Sequence, residues 1–162
     1  RGLASRSVSC QAQGKVLAYI LDRSQSKSKV VDSVSGATGK GICDVSVYPK
    51  DGKIPLNERI VPPMEEWLAA FSQADFVVTD SFHGCVLSIL FHKPFLVVGN
   101  RLRGMARIES LLRMFSLESR LVEGIDPDDD GEGWLMDIDW NHVDQVLEER
   151  RQISLQFLKD SL

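Results

Sequence analysis

The chain has 162 residues, of which 43% are hydrophobic and 26% charged. This length is enough for one globular domain with a hydrophobic core and is short for two. A net charge of -4 and a pI near 5.4 argue against nucleic-acid binding, because proteins of that class are usually basic. No apolar run approaches the roughly 18 residues that suggest a membrane span.

The amino-terminal residues 1–14 are polar, rich in Ser and Gln, and without a period, which is typical of a linker or of the end of a preceding domain. One domain is then expected over residues 15–162. The chain begins with Arg and shows no secretory signal, so we interpret it as part of a longer protein. An odd number of widely spaced cysteines favours reduced thiols in the cytoplasm over a disulfide framework. These cysteines are Cys10, Cys43 and Cys85.

The first part of the chain alternates predicted strands with a predicted helix. Residues 15–22 form the first strand and residues 42–48 the second, because both are short apolar runs. Between them, residues 29–38 form a helix that ends at Gly39. Residues 49–57 are rich in Pro, Gly and charged residues and therefore form a loop.

The middle of the chain is a predicted β-α-β unit. Residues 76–78 and residues 95–98 are apolar runs typical of strands buried on both faces. Residues 79–81 suit a turn and a helix N-cap, residues 85–91 form an almost entirely apolar helix, and Pro94 ends it. Such units place their strands side by side with a right-handed crossover, so the fold class is α/β with a parallel sheet.

Further helices are predicted on either side of this unit. Pro62 and Pro63 suit the first turn of a helix with apolar residues at helical spacing, namely Met64, Trp67, Leu68 and Phe71. The same spacing recurs at Ile108, Leu111, Leu112 and Phe115, before a short last strand at residues 121–122. Asn141 suits the N-cap of a long final helix over residues 143–158. The apolar stripe of that helix is Val143, Val146, Leu147, Ile153 and Phe157.

An acidic segment, residues 126–133, is predicted to be a surface loop and contains part of a calcium motif. The opening D-x-D-x-D-G is matched by Asp126, Asp128, Asp130 and Gly131. Position 12 is Asp137 where calcium loops have Glu, and no convincing helix precedes the segment. We therefore predict no metal site.

The strongest candidate for chemistry is His83, at the predicted amino end of the central helix. Unpaired amides and the helix dipole favour an anion there, and a histidine can donate a hydrogen bond or a proton to it. An arbitrary histidine is more often a core residue, but Asp80 and Ser81 place this one at the edge where open sheets bind ligands. Gly84 allows either a ligand or the neighbouring strand to approach closely, and both interpretations are equally supported.

A second candidate cluster follows the next strand and consists of Asn100, Arg101, Arg103 and Arg107. Three guanidinium groups can neutralise a phosphate and a carboxylate together, with a bidentate geometry that lysine lacks. The commoner alternative is a solvated loop and helix face with scattered charge. Because parallel strands have their carboxyl ends at one edge, we expect Ser81, Phe82 and His83 to face one crevice with residues 99–103. The His83 imidazole should point into this crevice, beside Arg103 or Arg107.

The run TDSFHGCVLSILFHKPFLVVGN, followed by RGMARIESLL and FSLESRLV, resembles the carboxyl-terminal half of the polysaccharide pyruvyl transferase family. The resemblance is close over residues 74–122 and loose from residue 16. It rests on the ordered set S-F-H-G, K-P-F and R-G-x-x-R-I-x-S-L-L. Members are similar to two-lobed, GT-B-like glycosyltransferases, which implies a Rossmann-like three-layer domain that binds the donor and a missing amino-terminal lobe that binds the acceptor.

The resemblance implies transfer of a pyruvyl group from phosphoenolpyruvate to sugar hydroxyls of a cell-surface polysaccharide or its precursor, as a ketal, with no other cofactor. His83 then matches the acid that acts on the donor, and Arg103 matches the basic residue that holds its anionic groups. Many members have arginine where this chain has Ser81, so the three arginines should matter more here. The further donor-binding residues are Ser81, Gly84, Asn100, Arg101 and Arg107. The implied location is the cytoplasm, with membrane association through a lipid-linked acceptor as an option.

Two other functions stay open from the residues alone. A glycosyltransferase half-domain with a nucleotide-sugar donor would hold the donor's diphosphate at the same helix end. A non-catalytic binding module would keep the fold without the chemistry. Binding of phosphoenolpyruvate, of a nucleotide sugar, or of neither separates the three.

Overall fold

The computed structural model describes residues 11–45, 63–99, 104–124 and 132–161. These residues contain five strands and six α-helices. The strands are β1 (Val16–Tyr19), β2 (Ile42–Asp44), β3 (Phe76–Thr79), β4 (Phe95–Val98) and β5 (Leu121–Val122). The helices are α1 (Gln25–Thr38), α2 (Met64–Gln73), α3 (Phe82–Leu90), α4 (Ala106–Met114), α5 (Glu132–Leu135) and α6 (Trp140–Asp160).

The strands form one parallel sheet in the order β2-β1-β3-β4-β5. The predicted α/β class is confirmed, and β3 and β4 are the central neighbours that the sequence predicts, with Val78 opposite Leu96. Every residue of these two strands is buried. An unbroken apolar run is the pattern expected of a strand covered on both faces.

Each face of the sheet carries its own apolar core, so the domain has the predicted three layers. On one face, α1 and α5 cover the sheet. Their buried side chains there include Val30, Val34 and Trp134. On the other face, α2, α3, α4 and the start of α6 cover it. Their buried side chains include Phe71, Cys85, Ile89, Leu112 and Val143.

The chain reverses its direction across the sheet at β1. The β1-α1-β2 crossover runs one way on one face, and the β3-α3-β4 crossover runs the other way on the opposite face, so both have the same hand. This reversal makes the β1 and β3 ends a topological switch point. In open α/β sheets, ligands bind in the crevice beyond the carboxyl ends of the strands at such a point. We call this end of the sheet the carboxyl edge and the opposite end the amino edge.

Three helices start elsewhere than the sequence predicts. α1 begins four residues earlier than predicted because Ser24 is its N-cap, and α3 begins three residues earlier because Ser81 caps it. The N-cap of α6 is Asp139, whose carboxylate accepts the His142 N–H at 3.1 Å, rather than the predicted Asn141. The first turns of α1 and α3 lie outside the apolar repeats that set the predicted starts. The caps, not the repeats, mark where these helices begin.

Some predicted loops are partly packed or lie outside the described residues. Residues 132–133 belong to α5 rather than to a loop, and Trp134 is buried in the core. Ala12 is fully buried and Gln13 pairs with Ala74, so these two residues of the predicted linker belong to the packed domain. The other predicted segments outside the description are residues 1–10, 46–62 and 125–131, which include the predicted loop and the calcium motif.

The final helix leaves the domain surface part of the way along its length. Val143 is buried and Val146 and Leu147 are half-buried, whereas Ile153 and Phe157 are 61% and 69% exposed. The predicted stripe therefore packs only over its first half. No helix in the described ranges combines the length and the apolar character needed to cross a bilayer.

The cysteines differ from the prediction of three reduced thiols. Cys43 is disulfide-bonded, to a partner outside the described residues. Cys85 is free, and burial raises the pKa of its thiol to about 12. An odd number of cysteines requires one unpaired thiol and leaves the other two able to pair. The cysteines therefore give no support to a reducing compartment.

Candidate functional site

Asp80 joins the two loops that meet at the switch point. It follows β3 directly, and its side chain is fully buried. Its carboxylate accepts the backbone N–H of Leu21 at 2.6 Å and that of Asp22 at 3.0 Å, just beyond β1. Lys27 donates from Nζ to Asp80 Oδ2 at 2.7 Å and to the Asp22 carbonyl at 2.8 Å. The ends of β1 and β3 and the start of α1 are thus held together by one carboxylate.

His83 is the second residue of α3, at the carboxyl edge. Ser81 caps the helix and accepts the Gly84 N–H at 3.5 Å, which fixes the turn that carries the histidine. The His83 side chain is exposed, while Ser81 and Gly84 beside it are buried. The histidine therefore faces outward from the helix end, as the sequence predicts, and does not belong to the core.

A cavity of 280 Å³ lies in front of this helix end. It brings His83 and Arg107 together, although they are on different helices, and Gly104 adds a left-handed turn with a φ of 76°. The described lining residues are Leu21, Asp80, Ser81, Phe82, His83, Gly104, Arg107 and Ile108. His83 and one member of the predicted arginine cluster, Arg107, therefore share one crevice. We call this space the His83 cavity.

Phe82 contacts both Arg107 and His83 in the cavity. The Arg107 guanidinium carbon is 5.4 Å from the centre of the Phe82 ring, a cation-π distance that is worth about 0.5–1 kcal/mol at an exposed site. The Phe82 and His83 rings are 5.9 Å apart and nearly perpendicular, at 80°. Phe82 therefore supports Arg107 and contacts His83.

Close packing against Thr79 requires a glycine at position 84. A Cβ atom built on it would lie 2.3 Å from Thr79 Oγ1, so the helix approaches the end of β3 as closely as only glycine allows. Thr79 Oγ1 donates to the Tyr19 carbonyl at 2.7 Å and accepts the Ser81 N–H at 3.1 Å, so it is held in place. The structure favours the packing interpretation of Gly84, and its donor-binding role stays a prediction.

Asn100, Arg101 and Arg103 lie outside the described residues, so their roles also stay predictions. The described chain stops at Gly99, which follows β4, and resumes at Gly104 on the wall of the His83 cavity.

A second cavity of 610 Å³ opens at the same edge. Lys27 borders this larger cavity, and its partner Asp80 borders the His83 cavity. Charges of both signs line the larger cavity. Among the described residues, its charged lining consists of Asp22, Arg23, Lys27, Glu109 and Glu123.

Lys27 was not among the residues predicted for the site, and Asp80 was predicted only to flank His83 in the turn after β3. Phe82 was predicted to face the crevice, as it does, but no role was assigned to it. Lys27 stands where a fourth apolar residue would be expected, since Val30, Val31 and Val34 follow it at helical spacing. A charge inside an apolar stripe is the signal that could have identified it. Among the described residues, no cluster of three or more His, Cys, Asp or Glu side chains is placed to hold a metal ion.

Comparison with known proteins places this geometry in a wider context. A family model described as polysaccharide pyruvyl transferase matches residues 18–101, just over half of the 162 residues. Among solved structures, the glycotransferase of kitacinnamycin is similar, with 15% sequence identity and a TM-score of 0.53. The match covers 93% of this chain and 44% of that one. At this identity it shows the fold alone, which agrees with the predicted glycosyltransferase-like architecture. None of the curated protein sequences matches the chain.

Proposed function

The chain belongs to the polysaccharide pyruvyl transferase family, and on that premise we propose that it transfers a pyruvyl group from phosphoenolpyruvate to two hydroxyls of a cell-surface polysaccharide or its precursor. One observation carries the proposal. His83, on the first turn of a helix, shares a cavity with Arg107 at the edge of the sheet where ligands bind. The proposed location is the cytoplasm, where a lipid-linked acceptor would bring the protein to the membrane.

The donor in this proposal is small and carries negative charge at both ends. The His83 cavity measures 280 Å³, slightly below the about 300–1,000 Å³ that is usual for drug-sized ligands. This size suits phosphoenolpyruvate, whereas a nucleotide sugar would also need the larger cavity. The amino end of α3 and the Arg107 guanidinium favour the phosphate and the carboxylate. Arg101 and Arg103 are proposed to add charge from the adjacent segment.

His83 is proposed to be the general acid. Its imidazolium gives a proton to the methylene carbon of the enol, which becomes a methyl group and leaves positive charge on the neighbouring carbon. A sugar hydroxyl bonds to that carbon. A second hydroxyl then bonds to the same carbon, and the bond between this carbon and the bridging oxygen of the phosphate breaks. The two hydroxyls lose two protons. One replaces the proton that His83 supplied, and the other leaves with the phosphate as HPO₄²⁻.

The test compares donors on the full-length protein. We expect saturable binding of phosphoenolpyruvate by calorimetry, and phosphate release that depends on a saccharide acceptor and yields a pyruvylated product by mass spectrometry. Binding of a uridine diphosphate sugar, with no binding of phosphoenolpyruvate, would replace this proposal with the glycosyltransferase alternative. Binding of neither would favour a non-catalytic module.

A further inference from the structure

Lys27 occupies a position that is unfavourable for helix α1 taken alone. It lies in the first turn, where the helix dipole disfavours a positive charge, and it is only 7% exposed. Burial of an ammonium group costs free energy unless the group is paired and hydrogen-bonded. Two local costs without a local gain indicate that the residue serves something outside its own helix.

Its partner Asp80 has the same character. The carboxylate is fully buried and holds the N–H groups of Leu21 and Asp22, which follow β1. A buried ion pair is a weak source of net stability, because the loss of hydration offsets most of the attraction. Net stability is therefore a poor explanation for the pair. The position of the chain segments that it holds together is a better one.

What it holds is the wall of the His83 cavity. Leu21, Asp80 and Ser81 all line that cavity, and Ser81 caps the turn that carries His83. A shift of Asp80 would move the β1 end relative to the α3 end, and with it the distance from His83 to anything bound between them. Displacements of about 1 Å in a catalytic site can lower rates about 10²-fold.

The pair also sets the charge of the cavity. Asp80 borders a space proposed to receive an anion, and a carboxylate repels an anion. The Lys27 ammonium, 2.7 Å from Asp80 Oδ2, offsets that charge. The cavity can then contain an acidic residue and still accept a negatively charged donor.

We propose that the Lys27–Asp80 pair is the positioning device of this site: it fixes the first turn of α3 against the end of β1 and keeps the cavity able to bind an anion. The proposal rests on the proposed function. Both residues act through their neighbours and are positioning residues rather than catalytic ones.

The test is a set of three variants of the full-length protein assayed with phosphoenolpyruvate. Lys27→Met removes the cation beside Asp80, so we expect KM for the donor to rise about tenfold or more. Asp80→Asn removes the carboxylate and weakens the clamp, so we expect kcat to fall about 10- to 100-fold without a rise in KM. In the double variant, KM should return close to the wild-type value while kcat stays low. This opposite split between KM and kcat is not expected of a purely structural pair.

The matched control is the Lys40–Asp75 pair, which has the same residue types at the amino edge and is exposed. Lys40→Met and Asp75→Asn should leave kcat and KM unchanged. If the Lys27 and Asp80 variants also keep wild-type kcat and KM per folded molecule, the pair is structural and the proposal is overturned. If a single variant fails to fold, the neutral double variant decides by its kcat.

A second measurement separates this inference from the proposed function. Amide hydrogen exchange at Leu21 and Asp22 needs no donor and no turnover. Asp80→Asn should accelerate exchange at these two amides and in the first turn of α3, and leave the centre of β4 protected. If wild-type protein transfers no pyruvyl group, the proposed function fails, and this exchange pattern still tests the clamp. Unchanged exchange at both amides would overturn it.

Discussion

The two edges of the sheet hold nearly the same residue types in different surroundings. Asp75 precedes β3 and pairs with Lys40 near the end of α1, whereas Asp80 follows β3 and pairs with Lys27 near its start. The side chains of the first pair are 36% and 38% exposed, and those of the second are 9% and 0% exposed. The same charges are therefore solvated at one edge and buried beside a cavity at the other.

Helix α3 repeats this contrast with two histidines. His92, just beyond its carboxyl end, stacks on Trp140 with ring centres 4.9 Å apart, and its Nε2 lies 2.7 Å from Asp144 Oδ1. It thereby docks the start of α6 on the amino edge. His83, at the other end, faces a cavity with Arg107. We therefore expect position on the sheet, rather than residue type, to separate a functional histidine from a structural one.

The largest effect that tests this contrast is expected at the histidines. His83→Asn removes the transferable proton, so turnover in the pyruvyl-transfer assay should fall about 10²- to 10⁴-fold with little change in donor affinity. His92→Asn should leave turnover unchanged, since asparagine also tolerates the left-handed backbone there, with a φ of 49°. Equal losses of turnover in both variants would break the contrast.

The next largest effect concerns the stability of the two ion pairs. Lys27→Met removes one member of a buried ion pair and should lower the free energy of unfolding by about 3–5 kcal/mol. Lys40→Met should lower it by about 0–1 kcal/mol, because exposed pairs contribute little. Urea denaturation at neutral pH measures both. Similar losses from the two substitutions would show that burial does not distinguish the edges.

These contrasts also show what the sequence could and could not reveal. β3 and β4 were predictable because a strand covered on both faces is apolar at every position. The location of His83 at the carboxyl edge was predictable from the turn residues that follow β3. The Lys27–Asp80 contact was not predictable from the sequence, because 53 residues separate the two side chains and they meet only if β1 lies beside β3. Local periodicity contains no information on strand order. For the same reason, the apolar pattern of α6 did not show that its second half would be exposed.

An intermediate effect is expected for the arginines of α4. Arg107→Ala removes an ionic hydrogen bond to the donor and should weaken donor binding by about 1.5–3 kcal/mol in calorimetry. Arg113, in the last turn of the same helix and exposed, provides the matched control. Arg113→Ala should leave donor affinity unchanged. Unaltered affinity in the Arg107 variant would remove Arg107 from the donor site.

A smaller effect compares two helical glycines. Gly84→Ala forces a methyl group against Thr79 and should cost about 1–3 kcal/mol of stability. Gly36, an exposed residue of α1, has no atom within 4 Å of a built Cβ, so Gly36→Ala should stabilise the protein by about 0.4–1 kcal/mol. Thermal melting of both variants checks the opposite signs. A neutral Gly84 variant would mean that the helix end can shift, which would reopen the ligand interpretation.

The smallest effect is the pH dependence of the exposed pair. The hydrogen bond from Lys40 lowers the pKa of Asp75 below its ordinary value of 3.8. The stabilisation from Asp75 is therefore present above that value and is lost as the pH falls through the lower pKa of the folded state. The stability difference between wild type and Lys40→Met should be small at pH 7 and vanish in strong acid. A difference that grows on acidification would have the wrong sign.

A titration followed by NMR shows whether the carboxyl edge receives an anionic donor in the His83 cavity. Phosphoenolpyruvate is added to isotope-labelled protein while the amide and histidine ring signals are recorded. We expect saturable shifts at Ser81, His83 and Arg107 that weaken in Arg107→Ala, with the His92 ring signals unchanged. Shifts centred on His92 and the amino edge, or no saturable shift at His83, would contradict it.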